Sequence, residues 1–233
     1  MYVSILFVAI IATKNKDRMT KFIPVFPLNI VVYPGEQLNL HIFEPRYKQL
    51  ITDCMEEKKE FGMATAMNNS ITETGTTVEI VSIEKVHGDG EMDIRTVGKK
   101  VFRILERINQ LPGKLYGGAI VNYPENVHDS VESKMLTLLK EIRHFHTLLE
   151  VKKEYKKADN ELTTYDLAHH AGLSLEQEYE LLCLMRDAQR QEFLQRHLKN
   201  TISTITELQH LKKRIELNGH FRKLSVNDGN EEE

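Results

Sequence analysis

Two different periods of apolar residues divide the chain, and the first period predicts β-strands. Leucine and isoleucine occupy every second position over residues 38–42, the period of a half-buried strand. Residues 30–33 are β-branched and aromatic, which favours a strand before the turn expected at Pro34-Gly35. The same reasoning predicts strands at residues 61–67, 76–86, 92–96 and 115–123, with an exposed polar loop at residues 68–74.

Local composition predicts three further details of this β-rich region. The apolar positions change phase between Ile80 and Val81, which indicates a bulge or bend in that strand. Gly88-Asp89-Gly90 predicts a hairpin turn. Pro45 suits the first position of a helix, because a missing N–H group costs little there.

Beyond residue 130, apolar residues recur every three or four positions, which is typical of amphipathic helices. A short helix is predicted at residues 164–171, and Ser174 with Gln177 forms a capping box for the helix that follows. The last helix is expected to end at Asn218-Gly219, because glycine and asparagine favour helix ends.

Composition places the chain among ordinary globular proteins. The net charge is -3, from 31 basic and 34 acidic residues, and the lysine clusters are interleaved with acids. No strong attraction to nucleic acid is therefore expected. Cys54 and Cys183 each fall within an apolar helical pattern and are expected to be reduced, buried thiols. Reduced thiols favour a cytoplasmic location.

The two ends of the chain differ from the rest. Residues 1–21 are interpreted as a leader that arises from an over-extended start or is disordered, with translation beginning at Met19. Their apolar run, residues 2–12, is shorter than the roughly 20 residues of a membrane span and lacks signal-peptide features. A membrane or export segment is the alternative. Residues 220–233 are expected to form a disordered acidic tail.

The segment from Pro24 to Tyr47 resembles the opening of the amino-terminal domain of the Lon protease family. The shared pattern consists of Phe26-Pro27-Leu28, Pro34-Gly35 and Phe43-Glu44-Pro45-Arg46-Tyr47, in that order. Two later blocks, Gly98 to Leu105 and Leu167 to Leu182, also resemble this domain. The resemblance covers residues 22 to about 218.

The resemblance implies an α+β fold, in which a PUA-like β-domain at residues 22–123 precedes an α-helical bundle at residues 124–219. It also implies a role in recognising polypeptide substrates. The sequence contains no G-x-x-x-x-G-K-[ST] motif and nothing that resembles the Ser-Lys peptidase segment of Lon proteases. We therefore expect a stand-alone protein that is not an enzyme and needs no cofactor.

Candidate substrate-binding residues are apolar side chains near the predicted strand ends: Tyr33, Met63 and Met67. Methionine suits surfaces that bind varied partners, because it is flexible and polarizable. The alternative for each of the three residues is a position in the core.

No metal site is predicted from the ten histidines. His144 and His146 are two positions apart in a predicted helix, and His169 and His170 are adjacent. Neither pair therefore presents two ligands on one helix face. His87 precedes the predicted hairpin turn and is expected to be simply exposed.

Three hypotheses about function follow. The favoured one is an adaptor in ATP-dependent protein degradation or quality control, with unfolded or damaged polypeptides as partners and a protease or chaperone as a further partner. Nucleic acid and membranes are not expected as partners. The alternatives are an RNA-binding PUA-like module and a small-ligand sensor that uses a groove between the two parts of the chain.

Overall fold

The computed structural model describes residues 20–227, with side chains described as far as residue 215. The strands are β1 (Lys21–Leu28), β2 (Gln37–Ile42), β3 (Phe61–Met67), β4 (Ser70–Val86), β5 (Met92–Ile108) and β6 (Gly118–Asn122). The helices are α1 (Pro45–Glu57), α2 (Glu132–Leu148), α3 (Thr164–Ala168), α4 (Leu175–Cys183) and α5 (Asp187–Asn227). The α+β class is the one predicted. The interpretations of residues 1–19 and 228–233 lie outside the described residues.

The strands close into a barrel. β1 pairs in parallel with β3 and antiparallel with β6, and β3–β4, β4–β5 and β5–β6 pair antiparallel. β5 is 17 residues long, so that β2 and β6 share one of its edges, end to end. The register of β4 shifts between Ile80 and Ser82. The bulge predicted from the phase change is therefore confirmed.

Residues 31–33 are not a strand, although their composition predicted one. Their side chains are buried, and threonine side chains take the place of a neighbouring strand. The Thr65 hydroxyl donates to the Ile30 carbonyl at 3.0 Å, and the Thr76 hydroxyl donates to the Val32 carbonyl at 2.5 Å. An extended segment can thus stay in the core without unpaired carbonyl groups.

The polar loop predicted at residues 68–74 is instead a two-residue hairpin turn. Asn68 and Asn69 have φ angles of 51° and 59°, and β4 begins directly after them at Ser70. Positive φ at both central residues is required by type I′ turns, and asparagine tolerates it. The hairpin turn predicted at Gly88-Asp89-Gly90 is confirmed by the hydrogen bond from the His87 amide to the Glu91 carbonyl, at 2.8 Å.

Two predicted helix starts are found in the structure, and one predicted helix end is not. Pro45 occupies the first turn of α1. The Ser174 hydroxyl accepts from the Gln177 amide, and the Gln177 side chain accepts from the Ser174 amide, so the capping box before α4 is confirmed. The end predicted at Asn218-Gly219 is wrong, because α5 continues to Asn227 and overlaps the predicted tail. A single interior glycine costs a helix only about 1 kcal/mol.

The barrel and the helical part share an apolar cluster. Val31 and Tyr33 belong to the cluster that contains the buried residues of α2, α3, α4 and α5. The Tyr33 hydroxyl donates to the Glu178 carbonyl at 2.9 Å, and the Thr74 amide donates to the Tyr179 hydroxyl at 3.3 Å. Strands give way to helices after β6, and a division into two domains at residue 123 stays a prediction.

Two smaller observations complete the fold. Cys54 and Cys183 are free thiols, and burial raises the pKa of the Cys54 thiol to about 12. Between residues 20 and 227 no helix combines the length and the apolar character needed to cross a bilayer.

Candidate binding cleft

A cleft of about 460 Å³ separates the Pro34-Gly35 turn from the helical part. The barrel contributes residues 33–37, and the helical part contributes residues 154–157 together with α3 and the two histidines that follow it. The volume falls within the range of about 300–1,000 Å³ that is typical of ligand sites.

Aromatic side chains line the inner part of the cleft. The rings of Tyr33 and Tyr165 stack with their centroids 5.2 Å apart. Tyr155 meets His170 edge-on at 4.7 Å. Burial raises the pKa of Tyr155 to about 12 and raises that of Tyr33 further. These phenols therefore stay neutral and can donate hydrogen bonds.

One histidine joins the two walls of the cleft. Nδ1 of His169 lies 2.7 Å from Oε1 of Glu178 in α4, and its Nε2 lies 3.2 Å from Oε2 of Glu36 beside β2. Burial lowers the pKa of His169, but the hydrogen bonds to Glu178 and Glu36 outweigh that effect and raise the pKa to about 9. At neutral pH the imidazolium therefore donates to both carboxylates and ties the Pro34 turn to α4.

Two buried polar atoms in the cleft residues have no hydrogen-bond partner among the described residues. They are the hydroxyl oxygen of Tyr155 and Nδ1 of His170. Burial and the nearby Lys153 lower the pKa of His170, which favours its neutral ring. Buried polar groups are nearly always paired, so these two unpaired atoms are unusual. Because both atoms are buried, a ligand in the cleft reaches them only after the side chains rotate.

Two of the three predicted contact residues are buried, which is the alternative left open for each of them, and binding by any of the three stays a prediction. Met63 is 4% exposed, because its side chain packs in the apolar cluster of the barrel that contains Phe26 and Phe61. Tyr33 is 1% exposed, although it contributes to the cleft lining. Met67 is half-buried at the end of β3, outside the cleft, and its role stays a prediction.

The cleft is suited to binding. The Glu36 carboxylate pairs with the protonated His169, and the Lys157 ammonium lies 2.6 Å from the Asp166 carboxylate. What the lining offers to a ligand is aromatic surface and hydrogen bonds. The residues that build it on the helical side, Tyr155, His169 and His170, were not predicted as binding residues.

The architecture is a closed barrel that shares its core with a helical part, with an aromatic cleft between them. The chain belongs to the family of the ATP-dependent protease La (LON) substrate-binding domain, whose sequence model matches residues 23–200. The predicted resemblance to Lon amino-terminal domains is thereby confirmed.

Solved structures agree with this assignment of the fold. A Lon N-terminal domain protein from Xanthomonas campestris is similar over 75% of this chain and 96% of its own, with 24% identity and a TM-score of 0.59. The N-terminal domain of Mycobacterium avium complex Lon protease covers 77% of this chain and 98% of its own, with 16% identity and a TM-score of 0.55.

Proposed function

We propose that the protein binds polypeptides without catalysis and that the cleft between the Pro34 turn and the helical part receives an extended segment. The family supports a substrate-binding role. The observation that carries the proposal is the aromatic lining combined with the unpaired Tyr155 hydroxyl and His170 Nδ1. An extended polypeptide offers both apolar side chains and backbone hydrogen-bonding groups, and it complements both features.

The charges around the cleft support a polypeptide over a polyanion. The lining carries the acidic side chains of Glu36, Glu154 and Asp166 together with the basic side chains of Lys156 and Lys157. Phosphate recognition needs basic residues gathered on one surface. The mixed rim therefore disfavours the RNA-binding alternative at this site.

A more specific proposal concerns the role of the protein in the cell. We infer that the protein acts as an adaptor in ATP-dependent degradation or quality control in the cytoplasm. Its partners in that role are unfolded or damaged polypeptides and a protease or chaperone that receives them. The family of the chain supports this role.

The binding proposal is tested by fluorescence anisotropy with a labelled, carboxymethylated and permanently unfolded protein as the probe. Tyr155→Ala should weaken binding about tenfold, because truncating an aromatic anchor commonly costs more than 1 kcal/mol. Tyr123→Ala is the matched control, since Tyr123 is also half-buried but lies outside the cleft. Wild-type affinity should depend weakly on salt. Equal affinities of the two variants would contradict the proposed location.

The volume of the cleft also favours the second candidate function, a small-ligand sensor. About 460 Å³ is enough to enclose a small organic molecule. A sensor of that kind should show ligand-induced thermal stabilisation from a metabolite library. It should show no competition between its ligand and an unfolded protein. Competition would assign the cleft to polypeptides.

A further inference from the structure

Three ligand-type side chains meet at the far end of the β4–β5 hairpin, away from the cleft. His41 of β2 lies opposite Asp93 of β5 in the strand register, and His87 directly follows β4. Nδ1 of His41 is 2.7 Å from Oδ1 of Asp93, and Nε2 of His87 is 2.8 Å from Oδ2. One possible ligand atom from each residue lies within 4.8 Å of the other two.

The backbone beneath this cluster is well fixed. His41 and Asp93 sit in paired strands, and the hairpin is closed by the His87 amide bond to the Glu91 carbonyl, at 2.8 Å. The Lys48 ammonium of α1 donates to the Asp89 carbonyl in the turn, at 3.0 Å. Ligands on rigid elements hold a site more precisely than ligands on a loop.

The contacts of His41 require a positive charge in the cluster. Its Nδ1 faces Asp93, and its Nε2 lies 3.0 Å from Oε2 of Glu91. A neutral imidazole carries one N–H group, so one ring nitrogen would point a lone pair at a carboxylate. Either a second proton or a metal cation resolves that repulsion.

We propose that His41, His87 and Asp93 bind a divalent transition-metal ion of the zinc type. Two imidazoles and one carboxylate form a donor set that zinc prefers, whereas calcium and magnesium prefer oxygen alone. Water completes the coordination.

The observed distances are compatible with such an ion. Zinc–nitrogen bonds of about 2.0–2.1 Å in a tetrahedron place neighbouring ligand atoms roughly 3.3 Å apart. The contacts of 2.7 and 2.8 Å must therefore open by roughly half an ångström. The side chains of His41, His87 and Asp93 are 49%, 30% and 39% exposed, so rotation can supply this movement.

Glu91 is a positioning residue in this proposal. With the His41 Nε2–H group donated to Glu91, the Nδ1 lone pair is directed toward the metal position. Carboxylates that hold a metal-bound histidine in this way typically contribute 10- to 100-fold in affinity.

The test is a titration of the metal-stripped full chain with Zn²⁺ by calorimetry, and with Co²⁺ by visible absorption. One equivalent should bind per chain. His87→Ala and Asp93→Asn should each abolish saturable binding, and Glu91→Gln should weaken it about tenfold. His144→Ala is the matched control, because His144 is an exposed histidine outside the cluster, and it should bind as the wild type does.

Circular dichroism melts of the apo variants should match the apo wild type, since all the substituted side chains are at least 30% exposed. One-to-one binding that persists in both His87→Ala and Asp93→Asn would overturn the site. So would a wild-type protein that shows no saturable uptake of either ion. A spectrum of tetrahedral Co²⁺ that is lost with His87 would support it.

Discussion

Replacing Arg190 with methionine should destabilise the protein strongly, because the guanidinium group is completely buried and each of its three nitrogens donates at least one hydrogen bond. Its exposed fraction is 0%. Its hydrogen-bond acceptors come from α3, from α5 and from the segments beside them: the Thr164 hydroxyl at 3.0 Å, the Asn126 side chain at 3.0 Å, the Leu184 carbonyl at 2.5 Å and the Asp187 carboxylate at 2.5 Å. The Arg190 side chain thus links the segment after β6 to α3 and α5.

The expected loss in the free energy of unfolding comes from the buried Asp187 carboxylate, which the substitution leaves without its partner. The Asp187 side chain is 10% exposed and would lose its buried cation. Removing one partner of a buried ion pair costs about 3–5 kcal/mol. His128 lies 3.2 Å from Asp187 but is 76% exposed, so it is a weak replacement. Methionine refills part of the volume, and we expect a net loss of about 4 kcal/mol.

Urea denaturation followed by circular dichroism at pH 7 measures this loss. Arg186→Met is the matched control, because Arg186 is the neighbouring arginine, is 59% exposed and pairs with Asp129. Its loss should stay below about 1 kcal/mol. The double variant Arg190→Met/Asp187→Asn should lose less than the sum of its parts, since no unpaired carboxylate remains. A loss for Arg190→Met no greater than that of Arg186→Met would refute the reasoning.

Two further predictions concern stability. Because Glu178 and Glu36 raise the pKa of His169 to about 9, above its ordinary value near 6.5, its contribution should be fully present below pH 6.5 and lost as the pH rises through 9. With 35% of that side chain exposed, the contribution to stability is about 1–2 kcal/mol. In thermal melts, wild type should therefore be more stable than His169→Gln at pH 6.5, and the two should be equally stable at pH 9.5. Gly98→Ala should prevent native folding, because the new Cβ would lie 2.2 Å from the Tyr33 carbonyl oxygen; a melt as cooperative as that of wild type would contradict this.

The features that could be predicted from the sequence depend on neighbouring residues. Ser174 and Gln177 satisfy each other across three positions, so their capping box is visible in the sequence alone. The same holds for Pro45 at the start of α1 and for the phase change after Ile80. Each of these signals is complete within a few residues, and tertiary contacts did not override it.

The conformation of residues 31–33 depends on residues that are distant in the sequence. A β-branched run suits a strand and a buried extended segment equally well. The choice depends on the hydroxyl groups of Thr65 and Thr76, which lie 35 and 44 positions from their acceptors. Threonines within otherwise apolar strands are the feature of the sequence that indicates this arrangement.

The histidine cluster was missed for a similar reason. Spacing within one helix or strand tests whether two ligands share a face, but His41 and Asp93 are 52 residues apart and meet through strand pairing. The register of β2 on β5 has to be known before they can be compared. The cleft residue Tyr155 likewise comes from a segment without apolar periodicity, so the sequence offers no pattern from which its position could be predicted.

Tyr33 connects the architecture to the proposed function. It was predicted as a candidate substrate-binding residue, with a core position as the alternative. Its ring belongs to the shared core, and its hydroxyl donates to the Glu178 carbonyl of α4. Glu178 also accepts from His169, which holds the Pro34 turn through Glu36. The width of the cleft is therefore set by the packing that joins barrel and helices. A segment bound there would contact both parts at once, and its affinity would depend on their remaining packed together.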